Sequence, residues 1–242
     1  MSFSPPTQVS NFLLINTLNK ALLLIVHLDP DLLEIVLLSL RVTCVGILIA
    51  TTLGLGLTLL LEIRKIPGQG LIISILNTLT GLPPVVVGLL LYVVLSRSGP
   101  LGFLGLLYTP TAMVIAQTIL AIPIVAALSH AAITATGQPV RDTALGLGAS
   151  EFQALLAVFG DARYAIMAAV AAAFGRVMAE VGAVLMVGGN IAHHTRVMTT
   201  AIAMEADKGD FELAIALGII LLGLSFLVNA ALYTLQRMGR KR

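Results

Sequence analysis

Long apolar runs, separated by short polar stretches, make up most of the chain. The hydrocarbon core of a bilayer requires about 20 predominantly apolar residues per helix. Runs that meet this requirement cover residues 42–61, 70–95, 111–135, 164–187 and 213–235, and residues 32–41 are expected to extend the first helix beyond the bilayer. The pattern therefore predicts an all-α integral membrane protein with five spans.

The composition supports a membrane protein. Of the 242 residues, which correspond to one domain, 58% are hydrophobic and 11% are charged, and the mean hydropathy is +1.01. Soluble domains are far more polar than this. The formal net charge of +2 is too small to indicate a nucleic-acid partner.

The two ends of the chain differ from the apolar middle. Residues 1–31 are predicted to form an N-terminal extension without a removable signal peptide, because they lack a basic region followed by a small-residue cleavage site. Within it, residues 12–28 contain Asn16, Asn19 and Lys20, which favours an interfacial helix over the alternative of a sixth span. Residues 32–235 are expected to form the transmembrane domain, and residues 236–242 a basic cytoplasmic tail.

Positive charges indicate the orientation, since Arg and Lys concentrate in cytoplasmic loops. With the N-terminus outside and the C-terminus in the cytoplasm, eight of them face the cytoplasm, namely Arg64, Lys65, Arg141, Arg163, Arg237, Arg240, Lys241 and Arg242. The outside would keep Lys20, Arg97, Arg196 and Lys208, with Arg41 near the boundary. The sequence therefore predicts an N-out, C-in protein.

The second apolar run is interrupted by two prolines, Pro83 and Pro84. Proline removes a helix hydrogen bond, and non-helical backbone at membrane depth is tolerated only where protein or a water-filled cavity covers it. This interruption predicts that the chain lines a path for a solute.

A structured element is predicted in the longest cytoplasmic stretch, residues 136–163. Pro139 suits the first turn of one helix, Gly146 and Gly148 interrupt it, and Ser150 can cap a second helix that ends at Gly160. An apolar face of that second helix would be formed by Phe152, Leu155, Leu156 and Phe159. We interpret this stretch as a docking element, although an ordinary loop between spans is the simpler alternative.

Two charged residues lie within the fourth run. Arg176 and Glu180 are four residues apart, so on a helix they share a face and can pair. Ionisable residues inside a membrane face the bundle interior or a cavity and are candidates for function. A purely structural ion pair remains an equal alternative.

Adjacent histidines, His193 and His194, raise the question of a metal site in the loop of residues 188–211. Neighbouring residues diverge on a helix, and no carboxylate or cysteine is suitably spaced in the sequence. We therefore predict solvated histidines and no metal site.

The stretch around residues 142–161 resembles the cytoplasmic motif of ABC importer permeases, which reads Glu-Ala-Ala, three residues, Gly, nine residues, then Ile-x-Leu-Pro. Here the chain reads Asp142-Thr143-Ala144, then Gly148-Ala149-Ser150, then Val158-Phe159-Gly160-Asp161. Ala144 and Gly148 match the motif, Asp142 replaces Glu, and the end of the motif is reduced to Val158.

Three longer stretches resemble the tungstate branch of these permeases, with a looser likeness to molybdate permeases. They are Asn77-Thr-Leu-Thr-Gly-Leu-Pro-Pro-Val-Val-Val-Gly88, then residues 95–105 with 109–113, and finally residues 179–191 with 195–202. The resemblance covers nearly all of residues 30–235.

The resemblance implies a five-span bundle of the molybdate and methionine permease type, with a cytoplasmic coupling helix, acting as a homodimer in a prokaryotic cell membrane. Its implied partners are a second copy, an ABC ATPase dimer, an extracytoplasmic oxyanion-binding protein and membrane lipid. No Gly-Lys-Ser/Thr occurs in the sequence, so ATP and Mg would be bound by the ATPase, and this chain would be non-catalytic with no cofactor of its own.

Two groups of residues are assigned roles, the first of them by the same resemblance. Coupling to the ATPase would involve Arg141, Asp142, Ala144, Gly146, Gly148, Ala149 and Ser150. Candidates for the pathway or its gating are Pro83, Pro84, Arg176, Glu180, Gly188, Gly189 and Asn190.

Other functions remain as alternatives. Molybdate, sulfate and vanadate are rival cargoes for tungstate, because all are tetrahedral or nearly tetrahedral oxyanions. An ion-coupled carrier or a channel is a rival class, but carriers usually have inverted repeats and more spans. A membrane enzyme would need several converging reactive groups at one depth, and only Arg176 and Glu180 lie deep.

Overall fold

In the computed structural model, residues 6–63 and 67–239 are described, and all regular secondary structure among them is helical. The helices are α1 (Pro6–Val26), α2 (Pro30–Ile63), α3 (Gln69–Leu79), α4 (Pro84–Leu95), α5 (Pro110–Gly146), α6 (Glu151–Met178), α7 (Gly182–Gly188), α8 (Met198–Lys208) and α9 (Phe211–Gly239). A short 3-10 turn, Gly102–Leu104, lies between α4 and α5.

The membrane-length helices agree with the predicted number of spans. Within the described residues, α2, α6, residues Pro110–Ala135 of α5 and residues Phe211–Ala231 of α9 are each long and apolar enough to cross a bilayer. The remaining run is divided between α3 and α4, whose axes are bent by 97°. Counting this bent pair as one span gives the five predicted spans.

A buried apolar cluster joins α2, α4, α5, α6 and α7. Its fully buried members include Val42 on α2, Met113 and Val125 on α5, and Val184 and Val187 on α7. A second cluster joins α1, α2, α8 and α9, and Lys20 on α1 lies 2.6 Å from Glu212 on α9. The helix predicted near residues 12–28 is therefore present as α1, and whether it lies at the membrane interface or spans it stays a prediction.

The helices around the predicted cytoplasmic stretch differ from the prediction. Pro139 lies inside α5 rather than at the start of a separate helix, and Gly160 lies inside α6 rather than at a helix end. The long helices persist because they pack on each other at these positions, where Ile133 of α5 joins Val158 and Ala162 of α6 in a buried cluster. This packing offsets the cost of about 3 kcal/mol for an internal proline and up to about 1 kcal/mol for a glycine.

Two further boundaries were predicted wrongly. The fourth run is not one helix, since α6 ends at Met178 and α7 begins at Gly182. The stretch of residues 188–211, expected to be a loop, contains α8. At the first place the Glu180 carboxylate, described below, accepts from amides at the start of α7. At the second the Met198 amide, at the start of α8, donates to Ser39 Oγ of α2 at 2.7 Å.

The two ends of the bundle carry different groups. At one end, Glu62 of α2 lies beside Arg141 and Glu151 at the α5–α6 turn. At the other end, Glu34 near the start of α2 contacts His193 before α8. The predicted orientation and domain division stay predictions, and Arg64, Lys65, Arg240, Lys241 and Arg242, on which the orientation partly depends, lie outside the described residues.

Candidate functional site

The turn between α5 and α6, residues 147–150, is called the coupling turn after the role that the sequence resemblance implies for it. Gly148 has a φ of +87°, a left-handed conformation that glycine adopts without steric cost. The Gly148 amide donates to the carbonyl of Leu145 at 3.0 Å, and the Ala149 amide donates to that of Ala144 at 3.0 Å. These bonds satisfy carbonyls at the end of α5, which ends at Gly146.

Ser150 starts α6 with the predicted capping box. Its Oγ accepts from the Gln153 amide at 3.3 Å, and its own amide donates to Gln153 Oε1 at 2.8 Å. Arg141 Nη2 donates to Glu151 Oε2 at 2.6 Å and so joins α5 to α6 across the turn, while Asp142 is exposed on α5. The predicted helix, glycine turn, helix arrangement is confirmed.

The coupling turn carries an exposed apolar surface. Leu147 at its tip is 84% exposed, and Phe152 and Leu156 on the first turns of α6 are 60% and 53% exposed. The other two residues of the predicted apolar face, Leu155 and Phe159, are half-buried. These exposed apolar side chains leave the turn and the start of α6 available for contact with a partner or with lipid.

The second candidate region is the break between α3 and α4. Pro83 has extended backbone (φ −66°, ψ 116°), and Pro84 is the first residue of α4. Because neither has an N–H, the helix cannot continue through them. The amides of Gly81 and Leu82 instead bond to carbonyls three residues back, at 3.1 and 3.2 Å. The predicted interruption is confirmed.

The predicted pair of Arg176 and Glu180 is also confirmed, with Arg176 Nη1 donating to Glu180 Oε2 at 3.1 Å. Glu180, however, lies in the connection after α6 and not within a continuous helix. Its Oε1 accepts from the amides of Gly182 at 2.7 Å and Ala183 at 3.2 Å, so it caps α7. Arg176, Glu180, Thr80 and Leu82 line one small pocket, which brings the ion pair to the proline break.

The predicted pathway residues Gly188, Gly189 and Asn190 lie elsewhere, at the end of α7. Gly189 has a φ of +71°, and a Cβ there would stand 2.7 Å from Cδ1 of Tyr108. The Asn190 side chain accepts from the Thr200 hydroxyl at 2.9 Å. These residues join α7 to α8 and do not line the pocket at the break.

Two polar residues that the sequence reasoning missed satisfy carbonyls around the end of α6. Gln117 Nε2 donates to the Val177 carbonyl at 3.2 Å, and Thr199 Oγ1 donates to the Glu180 carbonyl at 2.8 Å. Gln117 could have been noticed as a lone amide in the third apolar run, because polar side chains inside membranes find partners on other helices. No sequence signal marks Thr199.

His193 has a carboxylate partner, which the spacing of residues in the sequence did not predict. His193 Nδ1 lies 2.8 Å from Glu34 Oε2, and possible ligand atoms of Asp31, Glu34 and His193 lie within 4.8 Å of one another. The hydrogen bond to Glu34, together with the Glu34 charge, raises the pKa of His193 above 6.5. This contact joins the start of α2 to the segment before α8.

A helical bundle with five membrane-length apolar segments, one of them broken beside an ion pair, has the architecture of a membrane transport protein. The chain belongs to the family described as binding-protein-dependent transport system inner membrane component, which matches residues 50–240. It is therefore a multi-pass membrane component of a transport system.

Individual relatives are similar over most of the chain. A probable anion ABC transporter permease protein of Haloferax volcanii is 45% identical over 82% of this chain and 88% of its own length. The tungstate uptake system permease protein TupB of Peptoclostridium acidaminophilum is 40% identical over 89% of this chain and 95% of its own. A crystal structure of an amino acid ABC transporter with histidines has the same fold, with a TM-score of 0.67 at 20% identity, covering 89% of this chain and 97% of that one.

Proposed function

We propose that this chain is the permease subunit of an ATP-driven importer that moves a tetrahedral oxyanion, tungstate, across a prokaryotic cell membrane. The observation that carries the proposal is the extended similarity to an anion permease and to a tungstate permease. The proposed assembly has two copies of this chain, two ATPase subunits that bind ATP and Mg, and an extracytoplasmic binding protein that delivers the oxyanion.

In this proposal the coupling turn contacts the ATPase. The turn is fixed by the Ser150 capping box and by the Arg141–Glu151 bond, and Leu147 projects from its tip. A rigid turn can transmit the closure of an ATPase dimer to α5 and α6, whereas a flexible one would absorb it. The N-terminus then lies outside, and the acidic residues near the start of α2 face the binding protein.

The cargo is tested by elemental mass spectrometry on cells with and without this chain, each given trace tungstate and trace molybdate. We expect selective loss of tungsten from the cells that lack it. Loss of molybdenum instead would assign the chain to molybdate, and unchanged levels of both elements would overturn the oxyanion proposal.

The ATPase contact is tested by substitution at the turn. We expect Leu147→Asp to reduce co-purification of the ATPase strongly, because it places a charge in an apolar contact, and a hot-spot residue at the centre of an interface contributes about 2 kcal/mol or more. Phe103→Asp is the matched control, since Phe103 is an exposed apolar residue beside the opposite end of α5. Equal retention of the ATPase by both variants would contradict the proposed role of the turn.

A further inference from the structure

We infer that Arg176 receives the oxyanion at the α3–α4 break, and that Glu180 holds Arg176 in place without meeting the anion itself. This inference rests on the proposed function. It separates two residues that the sequence alone treats as equivalent pathway candidates.

The Glu180 carboxylate is hydrogen-bonded to groups within the protein. Glu180 is only 5% exposed, and its carboxylate accepts from Arg176 and from the amides of Gly182 and Ala183. These donors occupy both carboxylate oxygens in charge-assisted hydrogen bonds, and the amides at the start of α7 add to the positive groups around the pair. Glu180 therefore has a structural role, which is to cap α7.

Hydrogen bonds within the protein use only part of the donor capacity of the Arg176 guanidinium. A guanidinium carries five N–H donors, and within the described residues Arg176 forms a hydrogen bond with Glu180 alone. Its side chain is 48% exposed although it lies near the end of an apolar helix. A guanidinium binds the oxygens of a tetrahedral anion in a fork, which makes its free edge suited to this cargo.

The position of Arg176 supports contact with a moving solute. Thr80, the C-cap of α3, and Leu82, on the non-helical backbone of the break, line the same pocket. The volume of this pocket is about 10 Å³, which is room for at most one water molecule. An oxyanion therefore meets the exposed edge of Arg176, and it passes the break only when this pocket widens.

The first experiment measures tungstate uptake by the complete complex in proteoliposomes. We expect Arg176→Gln to assemble with its ATPase but to reduce the rate of tungstate uptake at least about tenfold. A hydrogen bond to a charged group contributes at least about a factor of ten to binding. Arg163→Gln is the matched control, because Arg163 is an exposed arginine on the same helix that stacks on Tyr164. Equal transport by Arg176→Gln and wild type would overturn the inference.

A second experiment detects the anion at the break. Thr80→Cys, in a Cys44→Ser background, is labelled with an anionic and a cationic methanethiosulfonate reagent during ATP turnover. We expect the anionic reagent to react faster, tungstate to slow it, and Arg176→Gln to abolish both effects. No protection by tungstate, or no labelling in any nucleotide state, would place the path elsewhere and overturn the inference.

Together, the two experiments distinguish failure of the proposed function from failure of this inference. If the wild-type complex moves neither tungstate nor molybdate, the proposed function fails. If the wild type transports and Thr80→Cys is not protected, this inference alone fails. If Arg176→Gln does not assemble, the labelling of Thr80→Cys still tests this inference, because the Thr80→Cys variant keeps Arg176 and its ion pair with Glu180.

Discussion

Gly88 on α4 lies so close to α7 that a Cβ built on it would stand 2.7 Å from the Cα of Ala183. A Cβ on Gly182 would similarly stand 2.5 Å from Cγ2 of Val85. Small residues allow the two helix backbones to approach this closely. Since α4 follows the proline break and α7 follows Glu180, this contact fixes the break relative to the ion pair.

Substitution of Gly88 tests the contact. We expect Gly88→Ala to destabilise the purified protein by about 1–3 kcal/mol, because the added methyl group meets backbone that cannot move aside. Gly223→Ala is the control, since Gly223 is helical and a Cβ there has open space. It should be neutral or stabilising by up to about 1 kcal/mol. Thermal unfolding in detergent measures both, and equal midpoints would mean that the close approach is unimportant.

Local interactions explain which features could be predicted from the sequence. The Ser150–Gln153 capping box, the proline break and the Arg176–Glu180 pair each depend on residues at most four positions apart. The continuity of α5 through Pro139 could not be predicted, because it depends on packing against α6. The contact between Glu34 and His193 joins residues 159 positions apart, and no local pattern reveals it.

The coupling turn depends on a glycine at position 148. We expect Gly148→Val to uncouple tungstate transport from ATP hydrolysis while the protein remains in the membrane, because a left-handed conformation costs a residue with a Cβ about 1–2 kcal/mol. A steric clash is not the reason for this expected effect, since nothing lies within 4 Å of a Cβ built on Gly148.

Gly56→Val provides the comparison for this turn, because Gly56 also has open space and lies in the ordinary helical conformation inside α2. Uptake per ATP hydrolysed, measured in proteoliposomes, should fall for Gly148→Val and stay near the wild-type value for Gly56→Val. Normal uptake and ATPase co-purification in Gly148→Val would refute the role of the turn.

The His193–Glu34 contact predicts a pH dependence at the opposite end of the bundle. Because the pKa of His193 is raised above 6.5 in the folded protein, its stabilising effect is present below about pH 6.5 and is lost as the pH rises through the folded pKa. We expect Glu34→Gln to lower the His193 pKa, measured by NMR on ¹³C-labelled histidine. Asp31→Asn should lower it less, since Asp31 acts only through its charge; an unchanged pKa in Glu34→Gln would disprove the contact.

The proline break itself gives the last prediction. Replacing both Pro83 and Pro84 with Ala restores two amide donors, which can bond to the carbonyls of Leu79 and Thr80 and continue α3 toward α4. A smaller bend between α3 and α4 would move Thr80 and Leu82 away from Arg176. We therefore expect most tungstate uptake to be lost while the protein still reaches the membrane. Pro139→Ala is the matched control, because Pro139 is exposed inside the continuous helix α5. It should retain uptake, whereas full uptake by the double variant would show that the break is incidental to transport.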